Sequence, residues 1–381
     1  MELTNSDAAK KTVIAILTMD DDNRKFRGNH NNFIDLIRAG QESGATVFVV
    51  TVKHLKLTQK RVMGYVYDFN AKSWMPQWMP LPNVIYNRIP LRKDEMQQEV
   101  QQIITACTRH RSIKLFNPTF FNKWTLYEWL NKAKTTKKYI PTTQKLSSRG
   151  DLKALLSVHS ALYLKPERGK AGKGIMRIDR EIQKLKRRTQ YSLTIQEEKN
   201  SQTLRYKELD GLWTNLKQVV GDEEYIVQQG IPLSVYKNRP FDLRVLVQKN
   251  SKGLWDLSGI GARLAGKSSI TTHVPRGGSI DDPEKLLAFS FGTLPAKRLI
   301  QRIKKASLSI ARQIEKKSGY LLGEMSMDLG VDRGGNIWFF EANSKPMKFD
   351  EPHIRKKSLE RLIQFSTYLT NKQGRSGGQS S

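Results

Sequence analysis

Cysteine is almost missing from this chain: Cys107 is the only one in 381 residues. An intrachain disulfide and any metal site built from several thiolates are therefore excluded. The neighbours Ile103-Ile104-Thr105-Ala106 read as an apolar helix face, which makes Cys107 a buried, inert thiol. Six scattered histidines show no zinc-type spacing. No run of about 18 apolar residues occurs, so no transmembrane helix is expected. The stretch Met1 to Asp7 lacks the apolar centre of a signal peptide, and a cytosolic location is the expectation. Internal repeats are absent. Acidic residues are scarce beside basic ones: 36 Asp and Glu stand against 65 Lys and Arg, a net charge of +29.

That excess favours polyanionic partners through long-range attraction. Nucleic acid stays in view on charge alone, because no recognition helix or RNA-binding platform accompanies the charge. The basic residues are spread along the chain, at Lys10-Lys11, Lys137-Lys138, Lys184 to Arg188, Lys304-Lys305 and Lys356-Lys357. An acidic substrate, an anionic polymer or adaptation to a cell compartment fits equally well.

What is present is a globular composition, 38% hydrophobic and 9% aromatic, long enough for two or three domains. Strand-like runs at Thr12–Leu17, Ala45–Val50 and Asn83–Arg88 enclose a short helix at Phe33–Ala39, and Asp94–Cys107 has helical spacing. This alternation predicts an α/β unit with a parallel sheet. Val62–Phe69 and Lys72–Met79 predict a hairpin or loop rich in Trp and Pro. Further on, helices are expected at Lys123–Leu130, at Ser148–Val158 with Ser147 or Ser148 as N-cap, and at Leu212–Val220, Pro283–Leu287, Ala296–Lys317 and Ile354–Leu369. Strands are expected at Ala161–Pro166, Tyr191–Gln196, Thr203–Glu208, Tyr225–Gln229 and Leu243–Gln248. Residues 1–10 and the Gly/Ser/Gln-rich tail 371–381 are expected to lack structure.

Chemistry concentrates in Met327-Asp328-Leu329-Gly330-Val331-Asp332, Gly334-Gly335-Asn336 and Ile337 to Pro346. These read as two strands joined by a tight turn whose glycines tolerate positive φ. Glu341 and Asn343 are two apart and share a strand face, with Asp328 near the other end. Two carboxylates and an amide make a hard-oxygen site suited to Mg²⁺ and a nucleotide phosphate. Upstream, Leu164 to Ile175 forms a glycine-rich turn after a strand. Gly169, Gly172 and Gly174 let backbone N–H groups approach phosphates, while Lys165 and Lys173 supply charge.

Gly261-Ala262-Arg263-Leu264-Ala265-Gly266-Lys267-Ser268 matches the P-loop string, but the following Ser269 to Pro275 is β-branched and then broken by proline, so no helix starts. It is read as a chance match. Asp242 and Arg244 open a strand on one face. In His273 to Ser279, Arg276 and backbone amides could lie near transferred phosphate.

In this order the elements resemble the ATP-grasp superfamily over about residues 115–350. Tyr225-Ile-Val-Gln-Gln-Gly-Ile231, Arg239-Pro-Phe-Asp-Leu-Arg-Val-Leu-Val-Gln-Lys-Asn250 and Glu341-Ala-Asn-Ser-Lys-Pro346 look like the YheC/YheD endospore coat-associated proteins of spore-forming bacteria. The resemblance implies a fold: an N-terminal α/β domain at 11–115, then an ATP-grasp fold of two α+β subdomains at 116–370, the small one at about 140–225. It implies that Lys123 and Lys165 hold α- and β-phosphates, that Gln229 and Ile231 meet adenine partly through backbone groups, that Asp242 reaches the ribose side, and that Gln228 and His273 are further cofactor contacts. Asp328, Glu341 and Asn343 are implied Mg²⁺ ligands, and Arg263, Arg244 and Arg276 are implied catalytic cations. His273 stands where similar carboxylate–amine ligases carry Asn, and Gln229 where related ligases often carry an acid. Lys170 occupies a flap position where small hydroxyl residues are common.

The function so implied is an ATP- and Mg²⁺-dependent ligase joining a carboxylate to an amine or other nucleophile through an acyl phosphate. The charge adds an acidic peptide, protein or polymer as substrate, in the cytoplasm or with the spore. The alternatives are a spore-coat-associated structural protein that binds nucleotide with little turnover, and a basic nucleic-acid-binding protein.

Overall fold

The computed structural model describes residues 11–167, 173–183, 188–197, 200–266, 269–272 and 277–377. The expectations for residues 1–10, for the middle of the glycine-rich loop and for 378–381 lie outside them.

The first sheet has β1 (Val13–Thr18) at its centre, and β2 (Asp20–Asp21) and β3 (Lys25–Phe26) form a small separate ribbon after it. Helix α1 (His30–Glu42) leads to β4 (Thr46–Thr51). The predicted hairpin is β5 (Arg61–Asp68) with β6 (Ser73–Pro80), and β7 (Val84–Asn87) follows. The predicted 94–107 helix is two, α2 (Arg92–Glu95) and α3 (Gln98–Arg109), before β8 (Lys114–Phe116). The order is β6-β5-β4-β1-β7-β8, with β4, β1, β7 and β8 parallel and the hairpin antiparallel on the edge. Val13 to Leu17 are all buried, as parallel strands covered on both faces must be.

Helix α4 (Lys123–Asn131), capped by the Asn122 side chain on Thr125 N, leads to an antiparallel second sheet. Its members are β9 (Thr143–Lys145), β10 (Ala161–Pro166), β11 (Met176–Gln183), β12 (Arg188–Gln196), β13 (Ser201–Tyr206) and β14 (Tyr225–Gln229), in the order β13-β12-β11-β10-β14-β9. Helices α5 (Arg149–Val158, N-cap Ser148) and α6 (Leu209–Val220) cover one face of it through Leu152, Leu156, Leu212 and Leu216.

The third sheet contains β15 (Val235–Tyr236), β16 (Arg239–Lys249), β17 (Trp255–Leu264), β18 (Ser279–Asp281), β19 (Glu324–Val331) and β20 (Ile337–Asn343), ordered β18-β17-β16-β19-β20 with β15 on β16. Its apolar face carries Leu243, Val245, Met327 and Leu329 against α7 (Pro283–Phe291), α8 (Thr293–Ser318) and α4. The polar face is left for the site. Strand β17 escaped the sequence reading because Gly259 and Gly261 interrupt it. Those glycines are needed, since a Cβ at Gly259 would meet Ile354 at 2.4 Å. The P-loop-like string therefore starts inside a strand.

Helix α9 (Pro352–Gly377) continues beyond the predicted end, into the segment expected to lack structure. Its Leu362, Ile363, Phe365 and Leu369 join α1 and β1 in the core of the first sheet. No described helix is long and apolar enough to cross a membrane.

Candidate functional site

Antiparallel register fixes which side chains share a sheet face. On the third sheet Asp242 pairs with Arg263, Arg244 with Asp328, Asp328 with Glu341, and Ser326 with Asn343. Asp242, Arg244, Arg263, Asp328, Glu341 and Asn343 therefore lie together on the polar face. A bulge between Asp328 and Leu329 offsets the hairpin so that the Asp328–Glu341 pair is kept while Phe340 is displaced.

The second sheet brings a lysine to this face. Lys165 Nζ donates to Gln228 Oε1 at 2.6 Å and lies 5.3 Å from the centre of the Phe340 ring. Burial pulls its ammonium down to about 8. Glu341 opposes that shift, Lys123 adds to it, and Asp328 and Asp242 oppose it. Lys123, at the first turn of α4, reaches Glu341 Oε2 at 3.5 Å. Two lysines and the hairpin carboxylate thus meet where three elements converge.

Asp242 is pushed up to about 7, first by burial and then by the Asp328 charge. Its Oδ2 accepts from the Thr272 hydroxyl, and its Oδ1 is buried without a hydrogen-bond partner. Arg244 is held below its ordinary value by burial; it donates to Ser326 Oγ at 3.4 Å, while its Nε is buried and unmatched. Arg263 Nη1 stands 3.8 Å from Asp328 Oδ1. Unmatched donors and acceptors beside crowded charges of both signs are costly in a closed interior, and suit a face built to meet a charged ligand.

The donor set Asp328, Glu341 and Asn343 is oxygen only, which fits Mg²⁺. Among the described residues no cluster of three or more His, Cys, Asp or Glu is arranged for a metal. The amide of Asn343 and oxygens from a ligand or water would complete the shell.

The other expected residues have these surroundings. Gln228 is buried, accepting from Lys165 and donating to Thr143 Oγ1 at 3.0 Å, and so helps position the lysine. Gln229 Oε1 accepts from Thr142 N at 3.2 Å, and the Ile231 carbonyl accepts from Leu233 N. Gly174 has φ +74, and a Cβ there would meet Pro166 Cγ at 2.8 Å and the Tyr225 hydroxyl at 2.9 Å, so it closes the loop onto β10. Lys173 is exposed beside it. Gly169, Gly172, His273 and Arg276 lie outside the described residues.

Sequence reasoning missed Thr272, Ser326, Phe340 and the crossing segment 348–351. Ser326 was within reach, being two residues before Asp328 on one strand. The crossing segment carried no local signal. It lays Lys348, Phe349, Asp350 and Glu351 beside Arg244 and Arg263 around a small cleft. Glu351 packs so closely on Gly261 that a Cβ there would meet its carboxylate.

A family model for YheC/D-like ATP-grasp proteins matches residues 112–369. Endospore coat-associated protein YheD of Bacillus subtilis (strain 168) is 29% identical over 359 residues, covering 92% of this chain and 76% of that protein. The D-alanine-D-alanine ligase from Coxiella burnetii superposes with a TM-score of 0.53 at 12% identity, covering 97% of this chain and 98% of that one. The ATP-grasp ligase PsnB, complexed with a phosphomimetic variant of minimal precursor, Mg and ADP, gives 0.52 at 12% identity, over 94% and 99%. Such identities bear on the fold. With a family model spanning more than half its length, the chain belongs to the YheC/D-like ATP-grasp family.

Proposed function

We propose that this protein is an ATP- and Mg²⁺-dependent ligase that activates a carboxylate and joins it to an amine. The observation that carries the reading is the convergence of Lys165 and Lys123 on the Glu341 side of a face that also holds Asp328, Asn343, Asp242 and Arg263. That set provides cations for phosphates at one side, oxygen ligands in the middle and arginines beyond. Mg²⁺, when bound, would supply neutralisation of phosphate charge. Lys123 and Lys165 bind and orient the phosphates. Asp328, Glu341 and Asn343 would hold the metal, and Arg263 with Arg244 would stabilise negative charge on the group being transferred. The substrate carboxylate oxygen takes the γ-phosphoryl group and ADP leaves. The amine nitrogen then attacks the acyl carbon, and the departing phosphate leaves with the acyl C–O bond electrons and takes up the proton the amine loses.

The first test is calorimetry of the full chain with Mg²⁺·ATP, followed by ADP release over a panel of amino acids and acidic peptides. Saturable binding and acceptor-dependent ADP release are expected. No heat with ATP and Mg²⁺ together would sink the reading. The relative named as endospore coat-associated supports a second element, residence at the spore coat in a spore-forming host. Binding of nucleotide without ADP release over the whole panel would favour a coat protein with little turnover.

A further inference from the structure

The function leaves one feature unused. Helix α8 carries eight of the chain's basic residues and a single acid, Glu315. Glu315 is engaged, bonded to Lys249 and to Trp255 Nε1. The buried side of α8, including Leu299, Ile303, Ile310 and Ile314, packs on the third sheet away from the ligand face. On the exposed side Arg298, Arg302, Lys305, Arg312 and Lys316 all point to solvent. Their spacing of four, three, seven and four places them in one line along the axis. The line is about 27 Å long at 1.5 Å per residue. Among the described residues none of these five is in an ion pair. At its N-terminal end Phe289 and Leu294 are exposed at 59% and 66%, an apolar spot beside the first arginine.

A solvated basic face normally alternates with acids that form i,i+4 pairs. Here the cations repel one another along the helix, a cost that a partner of opposite charge would remove. The geometry is linear. A lipid surface presents a plane of headgroups and calls for a disc of cations. Stacked nucleic acid calls for aromatic platforms, and the stripe has none between its cations. A polypeptide carrying acids at helical or alternate-strand spacing repeats every 5–7 Å or so, close to the stripe's own pitch. An apolar residue at its end would meet Phe289 and Leu294.

We propose that the exposed face of α8 from Leu294 to Lys316, with Phe289 of α7 at its end, is a docking surface for an acidic polypeptide, remote from the nucleotide face. This does not depend on the ligase reading. It is tested on the full chain by fluorescence anisotropy with labelled poly-L-glutamate of about 20 residues, long enough to cover the stripe extended or helical. The variant is Arg298→Glu with Arg302→Glu, Arg312→Glu and Lys316→Glu. The control, Lys53→Glu with Lys153→Glu, Lys207→Glu and Lys252→Glu, makes the same change in net charge at exposed positions elsewhere. Binding should weaken at least about tenfold in the stripe variant and less than about threefold in the control, and should fall steeply with salt. Equal losses in the two variants, or no binding of poly-L-glutamate by the unmodified chain at low salt, overturns the proposal. So does tighter, stripe-dependent binding of oligo-dT or of phosphatidylserine vesicles, which would assign the stripe to phosphate. Circular dichroism melting keeps a folding defect distinguishable from lost binding.

Discussion

At the scale of single residues, Glu341 has the most consequential surroundings. It faces Lys123, pairs across the hairpin with Asp328 and influences Lys165. Glu341→Gln keeps the shape and removes the charge. Since a charged hydrogen bond contributes about 1.5–3 kcal/mol, Mg²⁺·ATP affinity should fall about ten- to a hundredfold by calorimetry, with an unchanged melting curve. Lys165→Ala should weaken ATP binding more than Lys267→Ala does. The ammonium of Lys165 is built into the face, whereas the string containing Lys267 opens inside β17. A larger effect at Lys267 would restore the phosphate-loop reading of that string.

At the scale of elements, the β19–β20 hairpin depends on its turn. Asp332 Oδ1 accepts from Gly334 N and Asn336 N, both at 2.9 Å, and Oδ2 accepts from Asn336 Nδ2 and Trp338 Nε1. Gly335 takes the positive φ of +78 that the turn requires. Burial works to raise the Asp332 carboxyl, but these donors outweigh it and hold it below its ordinary value. A carboxyl so lowered stabilises the fold above its unfolded value of 3.8, and that contribution disappears as pH falls through the lower folded value. Asp332→Ala should therefore cost about 2–3 kcal/mol at neutral pH in chemical denaturation. The gap from the unmodified chain should narrow as pH falls below 3.8 and through the lower folded value.

At the scale of the whole molecule, the last helix and one buried ion pair join the first sheet to the site. Lys345 donates to Glu95 Oε2 at 2.5 Å and to the Ile89 carbonyl at 3.2 Å, with both charged side chains under 5% exposed. It follows Asn343 by two residues, so the pair fixes the end of β20 against α2. Glu95→Ala leaves a buried ammonium unpaired and should cost about 3–5 kcal/mol. Replacing both partners with apolar residues should recover much of that loss. Phe365, wedged against Phe116, supplies an apolar counterpart in α9. Phe365→Ala should lower stability by about 3–5 kcal/mol, read as a shift in the denaturation midpoint.

The sequence by itself determined what is local. The buried parallel strands, the hairpin at Asp328 to Asn343, the Ser148 cap and the amphipathic helices follow from periodicity and turn chemistry, which act over a few residues. So did the shortlist of charged residues, because strand alternation alone puts Asp242 with Arg244 and Glu341 with Asn343 on shared faces. Tertiary structure decided what depends on contacts distant in the chain. It turned Gln228 into the support of Lys165, made a strand of the glycine-broken segment before Leu264 under Glu351 and Ile354, and carried α9 back to the first sheet. It also set the acidity of Asp242 through burial and Asp328, 86 residues away, since desolvation and charge proximity exist only once the sheets have closed.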